Sequence, residues 1–198
     1  MPGRLFLTRD LRQDWPDPPE DIPRRNMAPG EELSVLTATG FRRMRWGLIP
    51  VGRINARGRP VMETIVNARS ETVFDKSAFE GVGRAVVPVD GWYEWTGETR
   101  RKTAWRITRK DGGLLLFAAI TDTWTAPGGR EVPQVATVTC APSADVRDIH
   151  HRMGVLLEKH QIAQWLEGSE AEAKALMQPY PDGRLAVEEA TGVDWTAP

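Results

Sequence analysis

Three short stretches of the sequence combine residue types that can do chemistry. In VNARSET, Asn67 and Arg69 stand two apart, so on an extended chain they share one face. An amide beside a fixed guanidinium fork suits a phosphate or another polar substrate. The alternative is a capped turn, since the serine, glutamate and threonine that follow are common in turns and caps. The pattern alone leaves both interpretations open.

The stretch DGWYEW places Glu94 between aromatic residues. Partial desolvation there would raise the pKa of the carboxyl toward use as a general acid or base. The competing interpretation is an exposed strand glutamate that alternates with core aromatics.

The stretch DIHHRM supplies His150, His151 and Arg152. Histidine titrates near neutrality, and adjacent residues of a strand point to opposite faces, so we expect one of the two rings to serve a site. With His160 and the single Cys140, these side chains lack the spacing of a zinc motif, so we expect neither metal nor cofactor. Cys140 lies in an apolar run and is expected to be a buried, inert thiol.

Length and composition bound the elements that must position these residues. The 198 residues fit one domain, 1–198, and the formal net charge of −1 means that an anionic partner must be met by a local patch. A single cysteine indicates a reducing compartment, and no apolar run approaches membrane-spanning length. We therefore expect a cytoplasmic protein without membrane contact. No sequence feature determines the oligomeric state, and a monomer is favoured.

The apolar patterns predict an α+β fold of mostly antiparallel strands, a few peripheral helices and long loops. The proline-rich residues 11–33 are expected to form an extended arm. The predicted elements are strands within 33–50 around Gly40, within 84–97 and at 134–140, a hairpin over 103–124, and short helices within 75–82, 141–149 (with Ser143 as a possible cap), 154–168 and 169–178.

Taken in order, seven stretches resemble the SOS-response-associated peptidase family, usually shortened to SRAP. They are GR (3–4), RRNMAPGEE (24–32), RWGLIP (45–50), VNARSET (66–72), VVPVDGWYEW (86–95), FAAITDTW (117–124) and VTCAPSADVRDIHHRM (138–153). The resemblance spans residues 1–168 and leaves 169–198 divergent.

The resemblance implies a compact, barrel-like, mostly β fold with a groove for single-stranded DNA. Members of this family cross-link to abasic sites through an N-terminal cysteine that is exposed when the initiator methionine is removed. Its amine forms an imine with the sugar aldehyde, and its thiol closes a stable thiazolidine ring. The catalytic positions fall on Pro2, Asn67, Glu94 and His150.

The resemblance also implies a set of DNA contacts. Arginines at three matching positions would meet phosphates, and Trp95 would stack on a base. From the residues alone, Trp46 and the arginines around it form a further candidate patch, with a solvated strand face as the alternative. The predicted DNA-binding residues are Gly3, Arg4, Arg69, Trp95, Arg152 and Trp46, with Arg42, Arg43 and Arg45 beside it.

The chain departs from the family pattern at several positions. Pro2 replaces the cysteine, so no thiol is available there to close a ring. The tryptophan expected soon after WGLIP is absent from VGRINARGRP, His151 replaces an aspartate, and Gly154 replaces a proline. The C-terminal AVEEATGVDWTAP lacks an asparagine-bearing end.

Four hypotheses follow from these departures. In the first, the secondary amine of Pro2 forms a reversible iminium with abasic DNA, which favours lyase-like strand cleavage over a stable cross-link. In the second, the protein is a non-catalytic paralogue that binds single-stranded or damaged DNA. A lesser alternative is a peptidase that removes only its own initiator methionine. In the fourth, Pro2 was introduced in place of a natural cysteine.

Overall fold

The fold consists of thirteen strands and two short α-helices within residues 2–20, 22–50, 57, 63–98 and 101–196, which the computed structural model describes. The strands are β1 (Arg4–Leu7), β2 (Arg24–Met27), β3 (Glu32–Thr37), β4 (Gly40–Trp46), β5 (Asn67–Arg69), β6 (Gly83–Val89), β7 (Gly91–Thr96), β8 (Thr103–Arg109), β9 (Leu115–Thr125), β10 (Glu131–Cys140), β11 (Met153–Gly154), β12 (Leu156–Leu157) and β13 (Leu185–Glu189). The helices are α1 (Ile162–Glu167) and α2 (Glu170–Leu176), and 3-10 turns occupy Leu11–Gln13, Ser77–Phe79 and Lys159–Gln161.

Five strands close into a ring in the order β10-β4-β3-β6-β9, because β9 also pairs with β10. All pairs around the ring are antiparallel except β10–β4, which is parallel. The long strands β9 and β10 are apolar enough to be buried over most of their length. Closing a sheet removes its exposed edges, which makes the ring a stable platform. The predicted α+β, barrel-like class is confirmed.

A second sheet is open and has the order β13-β8-β7-β1-β2, with every pair antiparallel. Trp92 of β7 is fully buried and packs edge-on against Phe117 of β9, with ring centroids 5.6 Å apart. One apolar cluster therefore runs through both sheets. Within the described residues, no helix is long and apolar enough to cross a bilayer.

The predicted hairpin over 103–124 is wrong. Asp111 and the glycines after it do turn the chain, but β8 pairs with β7 and β13 in the open sheet, whereas β9 belongs to the ring. The apolar run LLLFAAI requires neighbours on both sides, and β6 and β10 supply them better than the half-exposed β8 can. The turn therefore connects two sheets.

The predicted helix over 141–149 is also wrong, since residues 141–143 have no regular structure and residues 144–149 form turns. Ser143 does not cap it: its hydroxyl is buried and has no hydrogen-bond partner among the described residues. Tertiary contacts supply the partners that a helix start would need. The backbone N–H of Ser143 donates to Sδ of Met153, and that of Ala144 donates to Asp182.

The helix predicted over 154–168 is shorter than expected. Its first residues form β11 and β12, which pair with β10 and β9, and α1 begins only at Ile162. Gly154 is needed here because a Cβ at this position would lie 2.1 Å from Cε1 of Phe117. The helix within 169–178 is confirmed as α2, and Ser169 caps it together with Glu172.

Candidate functional site

The start of the chain is built into the open sheet. β1 runs antiparallel to β7 with Arg4 opposite Tyr93, so the residues before Arg4 continue alongside Glu94 and Trp95. Pro2 is buried, and its carbonyl oxygen accepts a hydrogen bond of 2.9 Å from Nδ2 of Asn67. The predicted catalytic residues Pro2 and Asn67, which are 65 positions apart in the sequence, are therefore in direct contact.

Asn67 is held from both sides. β5 lies parallel to β10 with Asn67 opposite Thr137, and the Thr137 hydroxyl donates to Oδ1 of Asn67 at 2.5 Å. The carbonyl oxygen of Pro2 can only accept, which assigns Nδ2 of the amide to its side and leaves Oδ1 to accept from the Thr137 hydroxyl. The ring therefore positions the amide that fixes the start of the chain.

Glu94 lies on the inner face of β7, the same face as Trp92, and only 3% of its surface is exposed. Burial raises the pKa of its carboxyl, while the positive charge at the amino terminus and the Trp92 indole oppose that rise. A buried carboxyl that keeps its proton to higher pH can act as a general acid. The exposed-strand interpretation of this glutamate is therefore wrong.

His150 follows the turns of residues 144–149 and is half-buried. Its Nδ1 lies 3.0 Å from both the backbone N–H and the carbonyl oxygen of Arg152, so it has a partner in either protonation state. Burial lowers the pKa of the ring, as do the amino-terminal charge and His151, so the neutral form persists to lower pH. His150 can therefore accept a proton.

The expectation that His150 and His151 point to opposite faces is wrong, because they lie in a bend and not in a strand. Their rings stack with centroids 4.3 Å apart. Adjacent side chains can share one side wherever the backbone is not extended.

Arg152 fastens this segment to the ring. Its guanidinium forms a two-pronged ion pair with Glu71 and donates to the carbonyl oxygen of Thr139 at 2.6 Å. The pair lowers the pKa of Glu71 to about 2 and raises that of Arg152. Only 12% of the Arg152 side chain is exposed. A phosphate contact for Arg152 stays a prediction, with its guanidinium engaged in this structure.

Two other predicted phosphate contacts are more open. Arg69 is exposed and has no ion-pair partner within the described residues. Arg4 is half-buried, and its guanidinium donates to the carbonyl oxygen of Gly3 at 3.3 Å. Both residues flank the contact between Pro2 and Asn67, because they belong to the strands that carry it.

The prediction that Trp46 contacts DNA is wrong. Its side chain is completely buried in the core, and its indole N–H donates to the carbonyl oxygen of Val66 at 3.3 Å. A ring without exposed surface cannot stack on a base. Of the arginines around it, Arg45 donates to the carbonyl oxygen of Gly47 at 2.7 Å, while Arg42 is exposed.

Trp95 is half-buried on the outer face of β7, next to Tyr93. Its ring contacts Trp195, which sequence analysis did not single out, at a centroid distance of 5.2 Å. The C-terminal stretch has no periodicity that would have placed Trp195 beside the site.

Cys140 is buried, as predicted, and burial raises the pKa of its thiol to about 12. A thiol that keeps its proton at neutral pH is a poor nucleophile, so Cys140 does not replace a missing N-terminal cysteine. Within the described part of the chain, no group of three or more candidate metal ligands lies together.

Asn67, which pairs with the ring, contacts Pro2 at the start of the open sheet. The chain belongs to the SOS response associated peptidase (SRAP) family, whose family model matches residues 1–192. The family predicted from the sequence is thereby confirmed.

Several curated proteins resemble this chain. Abasic site processing protein YedK of Escherichia coli is 33% identical over 164 residues, covering 81% of this chain and 72% of that protein. Abasic site processing protein YoqW of Bacillus subtilis is 30% identical over 169 residues, covering 80% and 74%. Abasic site processing protein HMCES of Mus musculus is 29% identical over 211 residues, covering 84% and 60%.

Solved structures share the fold. A crystal structure of a protein from Bordetella bronchiseptica matches with a TM-score of 0.81 at 23% identity, covering 96% of this chain and 99% of that one. One from Bacteroides thetaiotaomicron matches with a TM-score of 0.74 at 24% identity, covering 84% and 78%. At these identities the likeness concerns the fold alone.

Proposed function

We propose that this protein processes abasic sites in single-stranded DNA and that its nucleophile is the amine of Pro2, freed by removal of the initiator methionine. The observation that carries the proposal is the hydrogen bond from Asn67 to the Pro2 carbonyl, which holds the start of the chain beside Glu94. The names of the similar proteins, abasic site processing proteins, support the substrate.

The first step is attack of the neutral Pro2 nitrogen on C1′ of the ring-opened sugar. An α-amine titrates near pH 8, so a useful fraction is neutral at physiological pH. A C–N bond forms, the aldehyde oxygen becomes a hydroxyl, and that hydroxyl leaves as water when an acid donates a proton to it. Glu94, whose pKa burial raises, is the acid we assign to this step. The product is a cationic iminium, because proline nitrogen has no second proton to lose.

The second step is β-elimination. The iminium withdraws electrons from C2′, so a base can take a C2′ proton while the C3′–O bond breaks and the 3′ phosphate leaves with the electron pair. His150, whose pKa burial lowers, is the base we assign. Water then hydrolyses the iminium and returns the Pro2 amine. Without a thiol, the adduct is not locked into a ring.

DNA contacts would come from residues around this point. We propose that Arg4, Arg69 and Arg152 bind backbone phosphates. The strand would approach closely at Gly3, and Trp95 would stack on a base. A few phosphate contacts make binding weaken as salt rises. The release of Arg152 from Glu71 would be required for its contact, since the two are paired in this structure.

The test is reductive trapping on a single-stranded oligonucleotide with one abasic site, with the N-terminus checked by intact mass. We expect a covalent band only when cyanoborohydride is present, together with strand cleavage in its absence. The matched variant is Pro2→Cys, which restores a thiol and should give a cross-link that forms without reductant.

Two outcomes contradict the proposal. The first is the absence of a band from protein whose mass shows that the methionine is gone. The second is a band that persists when the Pro2 nitrogen is acetylated. Absence of a band together with salt-dependent DNA binding would favour the non-catalytic binding protein instead.

A further inference from the structure

The C-terminal segment, residues 190–196, crosses the outer face of the open sheet. Directly after β13, the backbone N–H of Ala190 donates to the carbonyl oxygen of Ala104 on β8 at 2.8 Å. Near its end, the carbonyl oxygen of Asp194 lies 3.4 Å from Nδ2 of Asn26 on β2. Because β8 and β2 lie on opposite sides of β7 and β1, the segment spans the strands that carry the candidate site.

The segment brings Trp195 onto the aromatic residues of β7. The ring centroid of Trp195 lies 5.0 Å from that of Tyr93, with an interplanar angle of 83°, and 5.2 Å from that of Trp95, with an angle of 62°. These are edge-to-face contacts, which fix a ring while leaving part of it uncovered. Trp195 is 36% exposed, and among the described residues the other exposed large hydrophobic side chain is Ile22.

An aromatic ring that is already fixed and still exposed is suited to stacking. Base–aromatic stacking tolerates any base sequence. A ring that its neighbours already hold loses little rotational freedom when a base stacks on it. Trp195 is adjacent to Trp95, and the register of β1 on β7, with Arg4 opposite Tyr93, continues Pro2 alongside Trp95. A strand whose abasic sugar is bound at Pro2, at this end of the sheet, therefore has its neighbouring nucleotide near Trp195.

Positive charge lies beside these rings. Burial raises the pKa of the Tyr93 hydroxyl, while the charges of Arg106 and Arg25 oppose that rise, so both guanidiniums are near that ring. With Phe6, these residues and the C-terminal segment line a cavity of about 190 Å³. Arg106 is paired with Glu188 at 2.7 Å, whereas Arg25 is exposed and has no ion-pair partner within the described residues. Arg25 is therefore available to bind a phosphate of the nucleotide whose base stacks on Trp195.

We infer that Trp195 is a base-stacking residue, supplied by the C-terminal segment, for a nucleotide that flanks the abasic site. The inference rests on the proposed function, which brings the single strand to this sheet. The match to the family model ends at residue 192, so Trp195 lies beyond it. The surface formed by Trp195, Trp95 and Arg25 adds a nucleotide subsite to the outer face of the open sheet.

The test compares the affinity of wild type and Trp195→Ala for two labelled oligonucleotides of equal length. One is an intact single strand with all its bases, and the other is a sugar–phosphate strand of tetrahydrofuran units that has no bases. We expect Trp195→Ala to weaken binding of the intact strand by roughly 5- to 150-fold and to leave binding of the baseless strand nearly unchanged. Trp195→Phe should recover most of the loss.

Trp15→Ala is the matched control, because Trp15 is also held edge-on, against Phe41 at 5.6 Å, but lies beside Lys159 in another part of the molecule. It should leave both affinities unchanged. A thermal melt of each variant establishes that the protein used is folded.

Three results overturn the inference: equal affinity of wild type and Trp195→Ala for the intact strand, an equal loss on both oligonucleotides, and tighter binding by the variant. The last would mean that the segment covers the site. Neither oligonucleotide has an aldehyde, so the outcome is independent of Pro2. Trapping can fail while the stacking effect is present, which overturns the proposed function alone.

Discussion

The ring and the open sheet of this protein share one apolar core but differ in how much of their surface is open to a ligand. Around the ring, the side chains of β9 and β10 are mostly buried, and the closed order leaves no gap between strands for a ligand. The open sheet buries one face against the ring and turns the other toward the C-terminal segment. The candidate site lies where the two meet, because Asn67 pairs with the ring and Pro2 leads into the sheet.

That difference predicts that residues of the ring determine stability, whereas residues where the two sheets meet determine the reaction. Substitutions in the ring should lower the free energy of unfolding without changing the reaction of the molecules that stay folded. Substitutions where the sheets meet should change the reaction of the folded molecules without lowering the free energy of unfolding. The following predictions test this separation, in order of decreasing expected effect.

Glu94→Gln should have the largest effect. We expect reductive trapping to slow by roughly 10²- to 10⁴-fold, because the variant keeps the shape but loses the proton that removes water. Burial raises the pKa of Glu94, so the wild-type rate should fall as pH rises through that pKa, and the variant should lack this decrease. A rate–pH profile of both proteins measures it. A rate within twofold of wild type would contradict the role.

Phe117→Ala should have the largest effect on stability. Phe117 is fully buried in β9 and packs against Trp92, so its truncation should cost about 3–5 kcal/mol of unfolding free energy. Urea denaturation gives this value. Trapping, corrected for the folded fraction, should match wild type. A large loss of trapping per folded molecule would mean that ring and site are not separable.

Asn67→Asp should slow trapping by roughly 5- to 100-fold, because an ionised carboxylate cannot donate to the Pro2 carbonyl. Single-turnover rates with abasic DNA measure the change. Thr137→Val is the control: it removes the hydroxyl that donates to Oδ1 but leaves the donor to Pro2 in place. It should have the smaller effect of the two, and the opposite order would contradict the assigned role of Nδ2.

Glu71→Gln should have the smallest effect, a decrease in Tm of up to about 4 °C at pH 7, since half of the Glu71 side chain is exposed. The pKa of Glu71 is lowered to about 2 in the folded protein, so the ion pair stabilises it above the ordinary carboxyl pKa. The Tm difference from wild type should shrink as pH falls below 4.5 and nearly vanish near pH 2. A difference that is constant with pH would rule out the ion pair as its cause.

The sequence predicted local elements better than it predicted their partners. β3 and β4 around Gly40, and β6 and β7 around Asp90, follow from alternation and turn residues, which are local signals. The hairpin over 103–124 failed because the choice between two neighbouring strands for β9 depends on residues far along the chain. The helix predicted over 141–149 failed because Met153 and Asp182, which lie beyond it in the sequence, supply hydrogen-bond partners to this segment.

For the candidate site, the sequence predicted the functional residue types but not their burial or their partners. Asn67, Glu94 and His150 stood out as residue types in unusual surroundings, and the family pattern gave their order. That pattern could not reveal that Trp46 is buried or that Arg152 is engaged by Glu71, because burial and pairing depend on the packed structure. Trp195 carried no signal, since the segment that places it has no regular structure.

The measurement that tests the account most directly is mass mapping of the reduced adduct. Protein trapped on abasic DNA with cyanoborohydride is digested with nuclease and protease, and the peptide that carries the sugar remnant is fragmented. The account predicts the remnant on the nitrogen of Pro2, at the start of a peptide without the initiator methionine. A remnant on a lysine side chain, or only on peptides that do not contain Pro2, would contradict it.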